Sequence, residues 1–279
     1  MTYRSVLVHL DETAACGVRT RVAIDLAKAM GCHLVGVAPT GLLELPGGLA
    51  STDTVASLSA VAWDMLRDRA ARATRSFVKA CQAAELRSHE AVLDELDVST
   101  SLVRRTHCSD LCILTQPDAA DPAYRWARGV VEQVILHSAR PTLIVPCAGA
   151  PATVGTRAMV AWDNSREAAR AVSDALPLLR RADQVDVVRW IEGRRDDDDS
   201  QGDLDALQKW LMWQGVNAEV HSESTRLDVA QALSSRAADA SADLIVMGAY
   251  GHGRLAERVL GGATRGLLAS MTLPVLMSH

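Results

Sequence analysis

The chain has 279 residues, 48% of them hydrophobic, with 29 Lys+Arg against 34 Asp+Glu for a net charge of −5. The length suits two domains of roughly 100–200 residues each, and the acidic balance argues against a nucleic-acid partner, whose phosphates need a basic surface. No apolar run reaches the ~18 residues of a membrane span, and the opening MTYRSVLVHLD reads as a strand rather than a leader, so no membrane partner and a cytoplasmic location are expected.

The first predicted strand is SVLVHLD from Ser5, closed by Asp11. A helical stretch and a second apolar run, HLVGV, follow. Thr40 to Asp53 is a Gly/Pro-bearing insertion, and a long helix runs from about Val55 to Ala84. SDLCILTQPD from Ser109 and the Pro-led PTLIVP, Pro141–Pro146, supply the last strands of this half. CAGAPATVGT, Cys147–Thr156, is a Gly/Pro/Ala-rich link.

The same order then recurs. Strands are predicted at Thr156–Asp163, Gln184–Ile191, Asn217–Glu223, Asp243–Gly248 and Pro274–Ser278. Helices are predicted at Arg166–Arg181, Leu204–Gln214, Asp228–Ala240 and about Ala263–Met271, with Pro177 kinking or shortening the first. Counting back from Pro141 and Pro274 aligns the two ends without a gap. A repeat of this length means two copies of one domain, 1–148 and 154–279. Alternating strands and helices give a parallel sheet covered on both faces. The expected fold is therefore α/β: two tandem doubly wound, five-stranded, Rossmann-like domains with strand order 3-2-1-4-5.

No metal set is legible in the spacing. All six cysteines lie in the first 147 residues without a Cys-x-x-Cys, and Cys108 and Cys112 beside His107 have no matching second pair. Reduced, mostly buried thiols are expected. The acidic run RRDDDDSQGDLD, Arg194 to Asp205, lacks the spaced ligands of a calcium loop and reads as a solvated segment. His107 and His137 read as surface or core residues.

The C-terminal stretch GAYGHGRLAERVLGGATRGLL carries the spacing Gly248-x-x-Gly251-x9-Gly261-Gly262. With strand order 3-2-1-4-5, Gly248 and Asp163 end neighbouring strands at the switch point, where ligands of such sheets bind. A glycine loop leading into a helix N-terminus offers free N–H groups and a positive dipole end to a phosphate, and His252, Arg254 and Arg258 stand nearby. Neither the Walker A pattern nor a G-x-G-x-x-G after the first strand is present. The glycines can equally serve a tight turn and a close helix–sheet approach. Asp163, Asn164 or Ser165 could each cap the following helix. Trp162 reads as a core residue.

Asp163, the glycine stretch and the repeat together resemble a tandem universal stress protein, a family of adenine nucleotide alpha hydrolase-like fold. The resemblance implies ATP, which could carry Mg2+ with it, bound through Gly-x2-Gly-x9-Gly-[Ser/Thr]. It puts Gly248, Gly251 and Gly261 in the phosphate loop, with His252, Gly262 and Ala263 beside them. Asp163 would lie near adenine and ribose, and backbone around Val188 would edge the adenine. Gly262 stands where the family has Ser/Thr, which removes a hydrogen bond worth about 1.5–3 kcal/mol. In the first half Asp11 is retained, but Thr115, Asp118 and Arg128 replace the three loop glycines and Gly129 stands opposite Gly262. Asp118 and Asp121 would repel a triphosphate, so this half reads as a degenerate copy and the nucleotide is expected in the second half alone.

With no Ser/His/Asp or Cys/His pair placeable at a cleft, the expectation is a nucleotide-responsive stress protein that signals by conformation rather than an enzyme, slow ATP hydrolysis notwithstanding. A non-nucleotide interaction scaffold is the alternative. The resemblance further implies an intrachain pseudo-dimer, with Pro141–Pro146 antiparallel to Pro274–Ser278. A homodimer of whole chains would need an interface that the sequence leaves open.

Overall fold

The computed structural model describes residues 2–41, 53–191, 199–225, 228–251 and 262–279. In the first half, strands β1 (Ser5–His9), β2 (His33–Pro39), β3 (His89–Asp94), β4 (Leu111–Thr115) and β5 (Thr142–Val145) are joined through helices α1 (Ala14–Met30), α2 (Asp53–Ala83), α3 (Val98–Thr106) and α4 (Tyr124–His137). The second half repeats the order: β6 (Arg157–Ala161), α5 (Arg166–Leu179), β7 (Gln184–Ile191), α6 (Asp199–Trp213), β8 (Ala218–Ser224), α7 (Val229–Asp239), β9 (Leu244–Gly248), α8 (Gly262–Ser270) and β10 (Val275–Ser278).

These strands form one sheet in the order β3-β2-β1-β4-β5-β10-β9-β6-β7-β8. Read from either end, each half has the expected order 3-2-1-4-5 with parallel neighbours. The halves meet where β5 and β10 pair antiparallel, Leu143 opposite Leu276, the pairing that the resemblance implies. Two short apolar edges, which alone would present unpaired N–H and C=O groups, satisfy each other there. Val6, Ile113, Ile144 and Leu276 are fully buried because helices cover both faces of the sheet. One core layer packs α1, α2, α5 and α6 on one face, through residues such as Val22, Phe77, Val172 and Leu211. The other packs α3, α4, α7 and α8 through Leu102, Val134, Leu233 and Leu267.

An aspartate ahead of the fourth strand of each half performs the same task. Asp110 accepts the N–H groups of Arg4 and Ser5. Asp243 accepts those of Gly155, Thr156 and Arg157 and the Thr153 hydroxyl, fixing the link between the halves. Pro177 lies inside α5, which ends at Leu179, two residues short of the predicted boundary. The Tyr3 hydroxyl, from the first half, donates to the Asp174 carbonyl of that helix at 2.7 Å. All six cysteines are free, and Cys32, Cys81 and Cys112 are buried.

Candidate functional site

The site in the second half is built where β6 and β9 end over the N-terminus of α5. Ser165 is the cap of α5, its hydroxyl accepting from Ala168 N at 3.1 Å. Asp163 acts on the cap rather than as the cap: its Oδ1 accepts from Ser165 N at 3.0 Å and Ser165 Oγ at 2.6 Å. The intervening Asn164 takes φ 58°, a left-handed conformation that Asn tolerates, and its amide donates to Asp203 at 2.7 Å. Asp163 is thereby held at the surface of the cleft, and among the described residues its Oδ2 has no hydrogen-bond partner.

Gly248, the last residue of β9, meets the first turn of α5 so closely that a Cβ there would fall 2.6 Å from Ala168 N and 2.7 Å from the Glu167 carbonyl carbon. This glycine is required by helix–sheet packing whatever else it does. Gly251 differs: a Cβ there would lie 3.7 Å from Ser165 Oγ and Glu167 Oε2 and 3.9 Å from Asp163 Oδ2, all ordinary contacts. The left-handed residue of this turn is Tyr250, at φ 57°. Its N–H is taken by Thr264 Oγ1 at 3.2 Å, which ties the turn to α8. Glu167 is buried and ion-paired with Arg166, so its charge beside Gly251 is offset. Gly262 is exposed as the first residue of α8, with none of the described residues within 4 Å of its Cβ position, and Ala263 follows half-exposed.

Asp163, Gly248 and Gly251 thus come together, with the N-terminal residues Gly262 and Ala263 of α8 following the loop. His252 and Gly261, with Arg254 and Arg258, lie outside the described residues, as do 42–52 of the first-half insertion and 194–198 of the acidic run. Val188 is not at the cleft. Its side chain is fully buried and its carbonyl accepts from Trp162 N at 2.9 Å inside the sheet, so it offers no edge to a base. Strand β7 runs on to Ile191, and the sequence boundary, although correct, gave no register. Trp162 is buried in the core layer shared with α5 and α6, away from a stacking role.

The equivalent place in the first half has been rebuilt around Arg19. This residue is 1% exposed, and its guanidinium reaches the His9 carbonyl, the Thr115 hydroxyl and, at 2.8 Å, Asp11 Oδ2. Asp11 Oδ1 takes the N–H and hydroxyl of Thr13. Both oxygens of Asp11 are therefore engaged. Burial alone would raise its pKa, but Arg19, with smaller help from His9 and the Thr13 hydrogen bonds, holds the carboxyl below its usual range. Burial, aided by the same guanidinium, pulls the His9 pKa down to about 4, so the imidazole is neutral near pH 7. Above this floor lies a cavity of about 860 Å3, whose walls include Leu114, Val130 and Trp126 and whose rim includes Asp118 and Asp121. The sequence reading missed Arg19. Its only signal was an arginine on a helix face otherwise bound for the core.

Comparison with known proteins bears on the second half most directly: residues 156–279 match the model of the universal stress protein family. Among solved structures, a universal stress protein from Archaeoglobus fulgidus DSM 4304 superposes with a TM-score of 0.77 at 17% identity, covering 98% of this chain and 95% of that one. A candidate universal stress protein from Pseudomonas aeruginosa UCBPP-PA14 gives 0.61 at 15%, covering 99% and 93%. A protein of unknown function from Pseudomonas aeruginosa PAO1 gives 0.60 at 14%, covering 99% and 92%. At such identities the likeness is one of fold. Curated protein sequences gave no significant match.

Proposed function

We propose that the chain is a tandem universal stress protein that binds one adenine nucleotide, in its second half, and acts by conformation rather than by catalysis. The observation that carries this reading is the difference between the two first-strand acids. Among the described residues, Asp163 keeps an oxygen without a hydrogen-bond partner, 3.9 Å from the Cβ position of Gly251, whereas Asp11 is closed off by Arg19. A ribose hydroxyl or an adenine amino group is a donor that Asp163 Oδ2 can accept. The N-terminus of α8, opening at Gly262, supplies N–H groups and a positive dipole end for phosphate oxygens. Gly251 leaves ordinary contact distances to Asp163 and Ser165, and an adenine nucleotide with its Mg2+ held by the phosphates is the ligand that this donor and acceptor set would take. The adenine edge is assigned to the end of β7 beyond Val188. The family match of residues 156–279 supports the same half.

Calorimetric titration with ATP and AMP tests the proposal. One nucleotide per chain is expected. Gly251→Val should abolish binding by blocking the loop, and Asp163→Ala should weaken it less. Gly262→Ser, which meets none of the described residues within 4 Å of its Cβ, should tighten it by up to about a hundredfold through the restored hydroxyl. Two nucleotides per chain, or binding indifferent to Gly251→Val, would overturn the assignment.

A second reading, in which the clefts of a scaffold take some other ligand, is favoured by the cavity of about 860 Å3 in the first half. It predicts no ATP heat in the parent and no effect of Asp163→Ala on whatever the protein binds in its first half.

A further inference from the structure

Strands β7 and β8, outermost in the second half, carry side chains that nucleotide binding leaves unused. Asp186 on β7 stands in register with Glu219 on β8, and His221 follows two residues along, on the same face. A carboxylate oxygen of Asp186, one of Glu219 and a ring nitrogen of His221 lie within 4.8 Å of one another. His221 Nε2 is 3.4 Å from Asp186 Oδ1 and 3.9 Å from Glu219 Oε2.

The three are unequally placed. The Asp186 side chain is 7% exposed and that of Glu219 73%. Asp186 is also held from behind: its Oδ2 accepts from Gln184 Nε2 at 3.0 Å, and Gln184 Oε1 accepts in turn from Arg157 at 2.7 Å. This leaves Oδ1 turned toward the imidazole, with no donor from outside the group among the described residues. A buried carboxylate is costly unless a cation or full hydrogen bonding compensates it, and no lysine or arginine here is ion-paired with it among the described residues.

We propose that Asp186, Glu219 and His221 bind a divalent transition-metal ion of the zinc type. Tetrahedral zinc with bonds of about 2.0–2.1 Å sets its ligand atoms about 3.3–3.4 Å apart. The His221–Asp186 separation already matches that value. Glu219, largely exposed, stands 3.9 Å from the imidazole and within 4.8 Å of Asp186, so its carboxylate must move in by about 0.5–1.5 Å to reach a separation of about 3.4 Å, and water completes the shell. One imidazole with two carboxylates suits zinc, and magnesium or calcium would call for oxygen donors throughout. Gln184 is the outer partner that orients a ligating carboxylate. The site lies away from the nucleotide: Asp186 pairs with Met159 within the sheet, four residues ahead of Asp163. A metal here ties the edge strand β8 to its neighbour.

The test is a calorimetric titration of the full, chelator-treated and reduced chain with ZnCl2, and a visible spectrum with CoCl2. One Zn2+ per chain is expected. Asp186→Asn and His221→Ala should weaken binding on the order of tenfold or more. Glu219→Gln, at an exposed position that does not endanger folding, should weaken it severalfold. Cobalt should give d–d bands without a thiolate charge-transfer band, which separates this site from the free cysteines. No saturable Zn2+ binding in the parent, binding unchanged in both His221→Ala and Glu219→Gln, or a thiolate band in the cobalt protein would each overturn the proposal.

Discussion

Gly248→Ala isolates what the first glycine of the ladder does. The added methyl would fall 2.6 Å from Ala168 N, 2.7 Å from the Glu167 carbonyl carbon and 2.9 Å from Glu167 Cβ. Comfortable carbon contacts are about 3.5–4.0 Å, so the end of β9 and the first turn of α5 must part by about 1 Å. The atoms in the way are backbone and Cβ, with no flexible side-chain end to swing aside. Overpacking of this kind costs about 1–3 kcal/mol. At roughly 2–4 °C per kcal/mol for chains of 150–250 residues, the melting temperature should fall by about 2–12 °C. Gly251→Ala is the control. Its methyl would meet neighbours at 3.7–3.9 Å, so the loss should stay within about 0.5 kcal/mol. Thermal melts by circular dichroism, with urea midpoints alongside, read both variants without nucleotide. A Gly248→Ala protein as stable as the parent would refute the close approach. Equal destabilisation by the two variants would refute the division of labour between the two glycines.

Arg19→Met should destabilise the chain by about 1–3 kcal/mol, below the 3–5 kcal/mol of a fully buried pair, because Asp11, stripped of its cation, is about a quarter exposed and can be partly solvated. A urea midpoint within 1 kcal/mol of the parent (about a fivefold change in equilibrium constant) would show that the pair is dispensable. The His9 pKa of about 4 in the fold lies below its ordinary 6.5, so between those values the unfolded chain binds the extra proton and stability must fall as the pH is lowered through that window. Asp11, whose folded pKa is depressed, adds a further loss below about pH 4, where the unfolded carboxylate begins to protonate. His9→Gln should flatten the upper part of this profile in urea titrations, and an unaltered slope would assign the pH dependence to other groups.

How far the sequence reaches can be judged residue by residue. The run that becomes β9 was legible because a strand buried on both faces reads as a nearly continuous apolar segment, and the strand pair at Leu143 and Leu276 was expected from the family resemblance. Three-dimensional register was not legible. The adenine edge was placed at backbone around Val188, whose carbonyl is taken by Trp162 N inside the sheet. Asp186, Glu219 and His221 are 35 residues apart at their widest and meet only once β7 and β8 are aligned. The ladder glycines could not be sorted by spacing, since what separates Gly248 from Gly251 is the distance to a helix 80 residues away in the chain. The two first-strand acids make the same point more sharply. Asp11 and Asp163 close equivalent strands and each bonds the residue two places on. Eight residues further along the following helix, the first half has Arg19 where the second has the buried Ala171. The arginine turns inward, and the hydroxyl oxygen of Thr115, standing where the second half has Gly248, accepts from that guanidinium. The two positions are coupled in the structure: without a Cβ at that strand end the backbone of the second half closes onto the helix, and in the first half the threonine side chain there is met by the arginine. Asp163 keeps one oxygen without a hydrogen-bond partner among the described residues, whereas its first-half equivalent, Asp11, is the counter-charge of the buried Arg19.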